Sequence, residues 1–295
     1  TFFTKDLIKH HITEDTKVFN ENGDILAVYK KNAVPTNILN NCRLAFRKAA
    51  TQSNNRGLAS GLITEKYKVG DKIGGRTIGK IQGTRFVPIN IKDNKLSNTS
   101  YALTVNSGLM GFSDRYPRIP YCRSTMYNQR NLQGYKKCLP YIKCVNDFFK
   151  EYAPARYKKQ KRMADETSQD FIIKDTAFST VTVNKNFRTA GHYDAGDLKE
   201  GFGNLGVIAS GKYDGAIAIF DVHELHGNTE IIRKGYYERI SVVCYYREKM
   251  IYCGNADYEL KRAKTNTKKI ALPEELEKAK MIREKILNET ESNNL

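Results

Sequence analysis

The sequence lacks tryptophan and has no long hydrophobic run. Its longest apolar stretches, such as residues 215–220, are far shorter than the roughly 20 residues that span a bilayer. Residues 1–18 are too polar for a secretory signal peptide. We therefore expect a folded protein without a membrane segment that resides inside the cell, in the cytoplasm of a bacterium or host or in a eukaryotic nucleus.

Cysteine is present, but not in the pairs that signal a metal site or a disulfide framework. The chain contains no Cys-x-x-Cys motif, so the sequence indicates neither a zinc ribbon nor a disulfide-linked scaffold. Free cysteine packs as a small hydrophobic residue. We expect all six cysteines to be reduced and mostly buried: Cys42, Cys122, Cys138, Cys144, Cys244 and Cys253.

Acidic residues are scarce relative to basic ones. The chain has 49 lysine and arginine residues against 32 aspartate and glutamate residues, a formal net charge of +17. This excess favours a polyanionic partner, and nucleic acid is the commonest one because each neutralised phosphate releases counterions. The alternative is a basic composition that reflects a lysine- and asparagine-rich genome and has no binding role.

Helical and strand-like patterns are distributed unevenly along the chain. Pro35 opens a helical pattern with one apolar face, and Pro140 begins a second that ends near Pro154. Residues 51–75 are polar and glycine-rich, which predicts a loop or a mobile flap. From residue 171 onward, short β-rich segments predict an antiparallel sandwich or barrel. The pattern as a whole favours an α+β fold.

Three of the five histidines lie in the β-rich half, and one belongs to a His-x-Asp pair. His192 and Asp194 are two residues apart, so on an extended strand both side chains leave the same face. Such a pair with one distant histidine is the two-His-one-carboxylate set that binds Fe(II) and leaves positions open for a cosubstrate and O₂. The alternative is a histidine at a strand end that is satisfied by a nearby carboxylate.

A second group of polar residues follows in the same half. His226 stands before Gly227, and Arg239 and Ser241 come later on a segment that alternates as a strand does. A guanidinium and a hydroxyl on one strand face suit the distal carboxylate of 2-oxoglutarate, which takes charge-assisted hydrogen bonds. These residues strengthen the prediction of an iron and 2-oxoglutarate site.

The order of these motifs resembles that of the TET and J-binding-protein family. Residues 226–229 read His-Gly-Asn-Thr, residues 239–247 read Arg-Ile-Ser-Val-Val-Cys-Tyr-Tyr-Arg, and residues 180–205, TVTVNKNFRTAGHYDAGDLKEGFGNL, are similar to phage and lower-eukaryote members. That family consists of Fe(II)- and 2-oxoglutarate-dependent dioxygenases acting on the 5-methyl group of pyrimidines in DNA. The resemblance covers roughly residues 121–250 and implies a double-stranded β-helix core, a cupin-like jelly roll, with flanking helices.

The resemblance assigns roles to particular residues. It implies that His192, Asp194 and His226 are the catalytic iron ligands and that Arg239 with Ser241 binds 2-oxoglutarate. Two neighbouring asparagines, Asn184 and Asn186, are candidates to contact the cosubstrate. Arg123 and Asn128 precede a core helix and are candidates for substrate binding, with a structural role equally open. His223 is expected to be structural or to support a ligand without binding the metal.

The resemblance also implies cofactors, partners and an activity. We expect Fe(II), 2-oxoglutarate and O₂ as cofactors, DNA as partner, no membrane association and a monomer. Conversion of 5-methylcytosine to 5-hydroxymethylcytosine is favoured, with further oxidation open. The alternatives are thymine hydroxylation to 5-hydroxymethyluracil, hydroxylation of a protein or small molecule at the same iron site, and a non-catalytic DNA-binding protein with a cupin-like fold.

We expect residues 1–295 to form a single dioxygenase domain. Within it we distinguish an N-terminal flanking region (1–120), a catalytic β-helix core with its preceding helix (121–250), and a basic stretch with a C-terminal helix begun by Pro273 (251–295). The last region is expected to pack on the surface.

The interval between the two parts of the expected metal site is short. At about 5 residues per strand plus turns, residues 195–225 have room for three or four strands, which is fewer than the family has. The shortening lies where Gly215 runs straight into Ala216. Either this protein is trimmed there, or residues between Gly215 and Ala216 are absent from the sequence.

Overall fold

The structure is a computed structural model that describes residues 1–209, 214–232, 235, 238–265 and 271–291. Twelve strands and six α-helices of this part of the chain position the site. The strands are β1 (Thr16–Phe19), β2 (Ile25–Lys30), β3 (Gln52–Ser53), β4 (Lys72–Ile73), β5 (Arg76–Gln82), β6 (Arg85–Pro88), β7 (Val105–Ser113), β8 (Arg123–Ser124), β9 (Thr180–Lys185), β10 (Gly203–Ala209), β11 (Ile217–Phe220) and β12 (Arg239–Tyr245). The helices are α1 (Thr36–Ala49), α2 (Met126–Arg130), α3 (Leu132–Tyr152), α4 (Pro154–Glu166), α5 (Ala256–Thr265) and α6 (Pro273–Glu291).

Nine of these strands form one main sheet, and three form a small separate sheet. The main sheet runs in the order β1-β2-β11-β10-β12-β9-β7-β3, with β8 paired to β7, and the small sheet runs β4-β5-β6. Every strand pairing in the described residues is antiparallel, which confirms the sequence prediction. The fold is α+β. Strands from both sides of residue 120 contribute to the main sheet.

Helices α1 and α3 cover one face of the main sheet and form the largest core with it. Phe46 of α1 and Tyr141 of α3 meet edge to face at 5.1 Å between ring centroids. On β12, Ile240, Val242 and Cys244 are buried in this core. The alternate residues of β12 therefore point to the opposite face, because successive side chains of a strand leave on opposite sides. That opposite face carries the candidate site.

The helix predicted to begin at Pro140 begins instead at Leu132. The side chain of Asn131 accepts a hydrogen bond from the backbone N–H of Gly134 at 3.0 Å, which caps the start of α3. Proline inside a helix removes one backbone hydrogen bond. Here Cys138 before the proline and Tyr141 after it are both fully buried on the same face, so packing stabilises the helix across Pro140. The predictions of α1 after Pro35 and of α6 at Pro273 are confirmed.

The expectation that all cysteines are reduced is wrong. Cys122 and Cys253 form a disulfide with a Cα–Cα distance of 5.7 Å. The two residues are 131 positions apart, so no local motif signals the pairing. The remaining cysteines are free, and three of them are buried, as expected: Cys42, Cys138 and Cys244.

The short interval between residues 195 and 225 contains two strands in its described part, β10 and β11, although its length leaves room for three or four. Gly215 donates a backbone hydrogen bond to Val207, and Val207 donates one to Ala216, at 2.9 Å each. The two residues on either side of the suspected shortening therefore belong to one β-hairpin. No helix in the described residues is long and apolar enough to cross a membrane.

Candidate active site

Two histidines that are far apart in sequence are joined by their backbones. His192 donates a backbone hydrogen bond to the carbonyl of His226 at 2.9 Å, and His226 donates one back at 3.1 Å. This pair is an isolated β-bridge and not part of a strand, so the expected strand geometry around His192 is replaced by a local bridge. Asp194 then bonds through its N–H to the carbonyl of Val222 at 3.0 Å, which fixes the second half of the His-x-Asp motif.

The loop contacts around the bridge explain the small residue and the asparagine after His226. Gly227 lies so close to Ala190 that an added Cβ would stand 2.9 Å from the Ala190 carbonyl oxygen. The side-chain oxygen of Asn228 accepts hydrogen bonds from the backbone N–H and the hydroxyl of Thr189, at 2.9 and 2.6 Å. Both contacts tie the His226 loop to the segment that leads into His192.

The three predicted ligands converge. One ligand atom from each of His192, Asp194 and His226 lies within 4.8 Å of the other two. The Nε2 atoms of His192 and His226 each lie 3.6 Å from one oxygen of the Asp194 carboxylate. His223 points elsewhere, with its Nδ1 atom 3.1 Å from Asp221. Two nitrogens and one carboxylate oxygen are the donor set that suits Fe(II) with open positions.

Backbone carbonyls fix the orientation of both imidazoles. The Nδ1 atom of His192 lies 2.8 Å from the carbonyl of Ala190, and that of His226 lies 2.9 Å from the carbonyl of Glu224. Because a carbonyl oxygen only accepts, Nδ1 must carry the proton in both rings. Each Nε2 atom is therefore left with a free lone pair facing Asp194, as a metal ligand requires.

The electrostatics of the three side chains favour a charged carboxylate. Burial lowers the pKa of His192. Burial would raise the pKa of Asp194, but its interaction with His226 and the nearby charges of His192 and Arg56 outweigh burial, so that pKa is lowered. The same Asp194 interaction raises the pKa of His226 against the effect of burial.

A cavity of about 460 Å³ adjoins the three ligands, a volume within the usual range for small-molecule sites. Arg239 and Ser241 both line it from β12, as their spacing predicted. Burial lowers the pKa of the Arg239 guanidinium, which forms no ion pair with any carboxylate of the described residues. A buried cation without a carboxylate partner is costly unless an anion binds to it.

A row of polar side chains crosses three adjacent strands beside Arg239. Ser107 of β7, Asn184 of β9 and Ser241 of β12 stand opposite one another, and all three line the cavity. The hydroxyl of Ser107 donates to the Asn184 side chain. Asn186 does not line this cavity; its side chain accepts the backbone N–H of Arg239 at 2.8 Å. Of the two candidate asparagines, only Asn184 faces the site.

The two candidate substrate residues lie outside the cavity. Asn128 is buried and its side-chain oxygen accepts the backbone N–H of Gly111 at 3.1 Å, which favours the structural alternative. Arg123 lines a neighbouring cavity of about 760 Å³ that shares Arg56 and Arg247 with the first. Arg123 is thus close to the site without lining it.

Several cavity residues were missed by sequence reasoning. Arg56 reaches the cavity from the segment predicted as a loop or flap, and its buried Nε atom has no hydrogen-bond partner in the described residues. Arg247 lines the cavity and forms an ion pair with Asp114 at 2.8 Å. Asp197 is buried, and burial together with the charge of Asp194 raises its pKa well above the ordinary value. Burial also lowers the pKa of Arg56. No motif marks these residues; Asp197 alone had a signal, as a carboxylate close to the His-x-Asp pair.

Comparisons with known proteins agree with this geometry. Residues 110–219 match the family model described as "Tet_JBP: Oxygenase domain of the 2OGFeDO superfamily". The matched range includes His192 and Asp194 and ends before His226 and Arg239.

Curated relatives match over about half of the chain. The "Bifunctional helicase and thymine dioxygenase JBP2" of Leishmania tarentolae is 33% identical over 180 residues, 54% of this chain and 16% of that protein. The protein of the same name from Trypanosoma brucei brucei is 34% identical over 163 residues, 48% of this chain and 15% of that protein. "Thymine dioxygenase JBP1-B" of Trypanosoma cruzi is 32% identical over 184 residues, 54% of this chain and 21% of that protein. The chain thus spans a small part of the length of these relatives.

A solved structure shows a similar fold. "NgTET1 in complex with 5mC DNA" superposes with a TM-score of 0.50 over 84% of both chains, at 12% sequence identity. At this sequence identity the superposition shows a similar fold and nothing further. Residues 110–219 are therefore similar to the Tet_JBP oxygenase domain of the 2OGFeDO superfamily, and the chain shares its fold with the superposed structure.

Proposed function

We propose that this chain is an Fe(II)- and 2-oxoglutarate-dependent dioxygenase that oxidises the 5-methyl group of a pyrimidine in DNA. The observation that carries the proposal is the convergence of His192, Asp194 and His226 on one point beside a cavity lined by Arg239. O₂ is the oxidant. The names of the curated relatives and of the superposed structure, which include thymine dioxygenases and a complex with 5-methylcytosine DNA, support the choice of substrate.

The donor set fits an iron ion. His192 and His226 would bind it through Nε2 and Asp194 through a carboxylate oxygen, and the Nδ1–H groups would stay bonded to backbone carbonyls. Iron together with 2-oxoglutarate and O₂ supplies the oxidising chemistry when bound. The chain's own part is to hold these groups in position and to shield the site from bulk water.

Arg239 and Ser241 are proposed to hold the distal carboxylate of 2-oxoglutarate. The Arg239 guanidinium is charged, lies in the cavity wall and lacks a described carboxylate partner, so a dicarboxylate would satisfy it with charge-assisted hydrogen bonds. Ser241 and Asn184 lie beside it with polar atoms directed to the same face. Asn184 is the better of the two asparagine candidates for cosubstrate contact.

The proposed target base must leave the double helix to reach the cavity, because the 5-methyl group of a stacked base cannot approach a buried site. The adjoining cavity lined by Arg56, Arg123 and Arg247 offers cations for the phosphates on that path. Arg123 is therefore proposed to contact the DNA backbone and not the base. The net charge of +17 suits the same partner.

We also infer the finer architecture. The fold match and the cavity that β9, β10, β11 and β12 line together support a double-stranded β-helix core with flanking helices. Because the main sheet takes strands from both sides of residue 120, we propose that residues 1–295 act as one dioxygenase domain.

Nucleoside mass spectrometry tests the proposal. Purified protein with Fe(II) and 2-oxoglutarate is incubated with DNA that contains 5-methylcytosine, or thymine as its only 5-methylpyrimidine. We expect an oxidised base in at least one DNA. Asp194→Ala should abolish turnover and retain DNA binding. Absence of any oxidised base, with succinate still formed on a peptide, would exclude the DNA substrate; retained activity in the variant would remove Asp194 from the metal site.

Thymine hydroxylation is the second candidate, and the printed names of the relatives at 31–34% identity favour it. The two DNA substrates of the experiment separate it from oxidation of 5-methylcytosine. A non-catalytic DNA-binding protein would bind both DNAs without forming succinate.

A further inference from the structure

Residues 66–92 contain the small sheet, and we call them the small-sheet segment. A second cavity of about 850 Å³ lies between this segment and the end of β9, and we call it the cationic groove. Lys66 and Arg76 line it from the small-sheet segment, and Lys185 and Arg188 line it from β9 and the loop that follows. None of the described residues that line the groove is acidic. Three aromatic rings also line the groove: Phe2, Tyr67 and Phe187.

Most of these positive charges are not neutralised by carboxylates of the described residues. The ammonium group of Lys66 lies 5.2 Å from the ring of Phe2, and the guanidinium of Arg76 lies 4.5 Å from the ring of Tyr101. Only Lys185 approaches an acidic group, at 3.8 Å from Glu238. Close packing of like charges without anions is unfavourable. The groove is therefore suited to an anionic ligand with several charges.

Arg188 is partly buried at the edge of the groove. Its Nη2 atom donates to the carbonyl of Phe3 at 2.8 Å, and its guanidinium lies 4.7 Å from the ring of Phe2. Its Nε atom is buried without a hydrogen-bond partner in the part of the chain that the structure describes. Leaving such a donor unsatisfied costs about 1–3 kcal/mol. An acceptor oxygen of a ligand or an ordered water would satisfy it.

The groove adjoins the catalytic cavity. Phe187 lines both cavities. Asn186 lines the groove, and its side chain accepts the backbone N–H of Arg239, whose side chain lines the catalytic cavity. A polymer with one unit in the catalytic cavity would reach the groove within a few units. A small anion in the groove could not also contact the catalytic cavity, so the proximity of the two cavities would not strengthen its binding.

We propose that the cationic groove binds the phosphate backbone of the DNA strand next to the base that enters the catalytic cavity, with unpaired bases stacked on its aromatic rings. The inference rests on the proposed function. Alternating phosphates and aromatic stacking are the chemistry by which proteins bind single strands. Lys66 and Arg76 lie outside residues 110–219, the part that the family model matches, so the N-terminal region adds this surface.

A pair of double variants tests the groove. Lys66→Gln with Arg76→Gln removes two charges that line it, and Lys80→Gln with Lys92→Gln removes two exposed charges of the same segment that do not. Binding of single-stranded DNA is measured by fluorescence anisotropy over a range of salt concentrations. Oxidation is measured on a strand of about 3 nucleotides and on one of about 15, a length that covers a typical single-strand site.

We expect the groove variant to bind the long strand more weakly and to lose about 1.4 from the slope of log K against log salt, about 0.7 per phosphate contact. Its oxidation of the short strand should match that of the wild type, since that strand does not reach the groove. The control variant should retain the wild-type slope. Equal melting temperatures of the two variants exclude a folding defect as the cause.

Three outcomes would overturn the inference. Groove and control variants with equal slopes would show that the groove takes no phosphates, while oxidation of the short strand by the wild type would leave the proposed function intact. If the groove variant binds RNA more weakly than the wild type does but binds DNA equally well, the groove is assigned to RNA. If the wild type neither binds nor oxidises the single strands but oxidises duplex DNA, the inference fails and the proposed function stands; if it oxidises neither single-stranded nor duplex DNA, both fail.

Discussion

The Nε2 atom of His226 lies 3.6 Å from Oδ2 of Asp194, although the whole hairpin of β10 and β11 lies between the two residues in sequence. The backbone bridge between His192 and His226 creates this proximity, and the two Nδ1 atoms bonded to carbonyls aim both rings at the same carboxylate. The same geometry supports His226, and not His223, as the proposed metal ligand.

Replacing each of those two histidines by alanine gives a matched comparison. His226→Ala should lower iron content and turnover by more than about 100-fold, because loss of a group that merely supports a ligand already costs 10–100-fold. His223→Ala should retain iron, since His223 bonds to Asp221 and lies outside the cluster. Iron content by mass spectrometry and succinate formation are the measurements. Equal loss in both variants would contradict the assignment.

The parts of the candidate site that could be predicted from the sequence are the residues whose side chains have distinctive chemistry. His192, Asp194 and His226 stand out because histidine is scarce, and Arg239 stands out as a cation that begins an apolar strand. The face of β12 followed from its period of two residues. The roles of these residues in catalysis stay predictions, and the structure adds that they share one cavity.

Other features depend on contacts between distant segments and have no local signal. Arg56 enters the cavity from a glycine-rich segment whose composition indicates only a loop. The disulfide joins Cys122 to Cys253 across 131 positions. The start of α3 was misplaced because the prediction relied on the preference of proline for the first turn of a helix, whereas burial stabilises α3 on both sides of Pro140.

Arg239→Lys should separate charge from geometry in cosubstrate binding. Lysine keeps a positive charge but cannot form the planar pair of hydrogen bonds that a guanidinium forms with a carboxylate. A hydrogen bond to a charged group contributes about 1.5–3 kcal/mol, so KM for 2-oxoglutarate should rise about 10- to 100-fold. Iron content should stay unchanged. Steady-state kinetics with varied 2-oxoglutarate provide the measurement, and an unchanged KM would show that Arg239 does not bind the cosubstrate.

Removal of the hydroxyl group should affect the free energy of unfolding differently at two buried tyrosines. The Tyr141 hydroxyl has no partner in the described residues and lies where any Cβ on Gly206 would overlap it. Tyr141→Phe should therefore leave the free energy of unfolding unchanged or raise it by up to about 1 kcal/mol. The Tyr246 hydroxyl lies 2.7 Å from the Thr167 hydroxyl, which itself donates to the Met163 carbonyl. Tyr246→Phe should lower the free energy of unfolding by about 1 kcal/mol.

Denaturant unfolding of the two tyrosine variants beside the wild type measures this difference. Neither tyrosine lines the catalytic cavity, so an unchanged iron content in both variants serves as the control for an intact site. A larger loss in Tyr141→Phe than in Tyr246→Phe would mean that the Tyr141 hydroxyl has a partner, such as a buried water.

Asp197 gives a prediction for the pH dependence of stability. Burial and the neighbouring Asp194 charge raise the pKa of Asp197 in the folded protein. Between the unfolded and folded pKa values the native state binds more protons than the unfolded state, so stability falls as pH rises through that window. Asp197→Asn cannot ionise and is free of this loss. The metal-free variant should therefore melt above the wild type at neutral pH.

The difference between the melting temperatures of Asp197→Asn and wild type should grow as pH rises from the unfolded towards the folded pKa of Asp197, because the carboxyl is ionised in the unfolded chain and folding must take up a proton at a cost that increases with pH. Metal-free protein is used because a bound cation would reverse the local electrostatics. A variant that melts below the wild type at neutral pH would show the opposite: the Asp197 charge, facing Arg247 across the cavity wall, would then be a stabilising partner for that guanidinium. In that case Asp197 is ionised in the folded protein. The sign of the melting difference thus decides whether the cavity presents a neutral carboxyl or a carboxylate to the substrate.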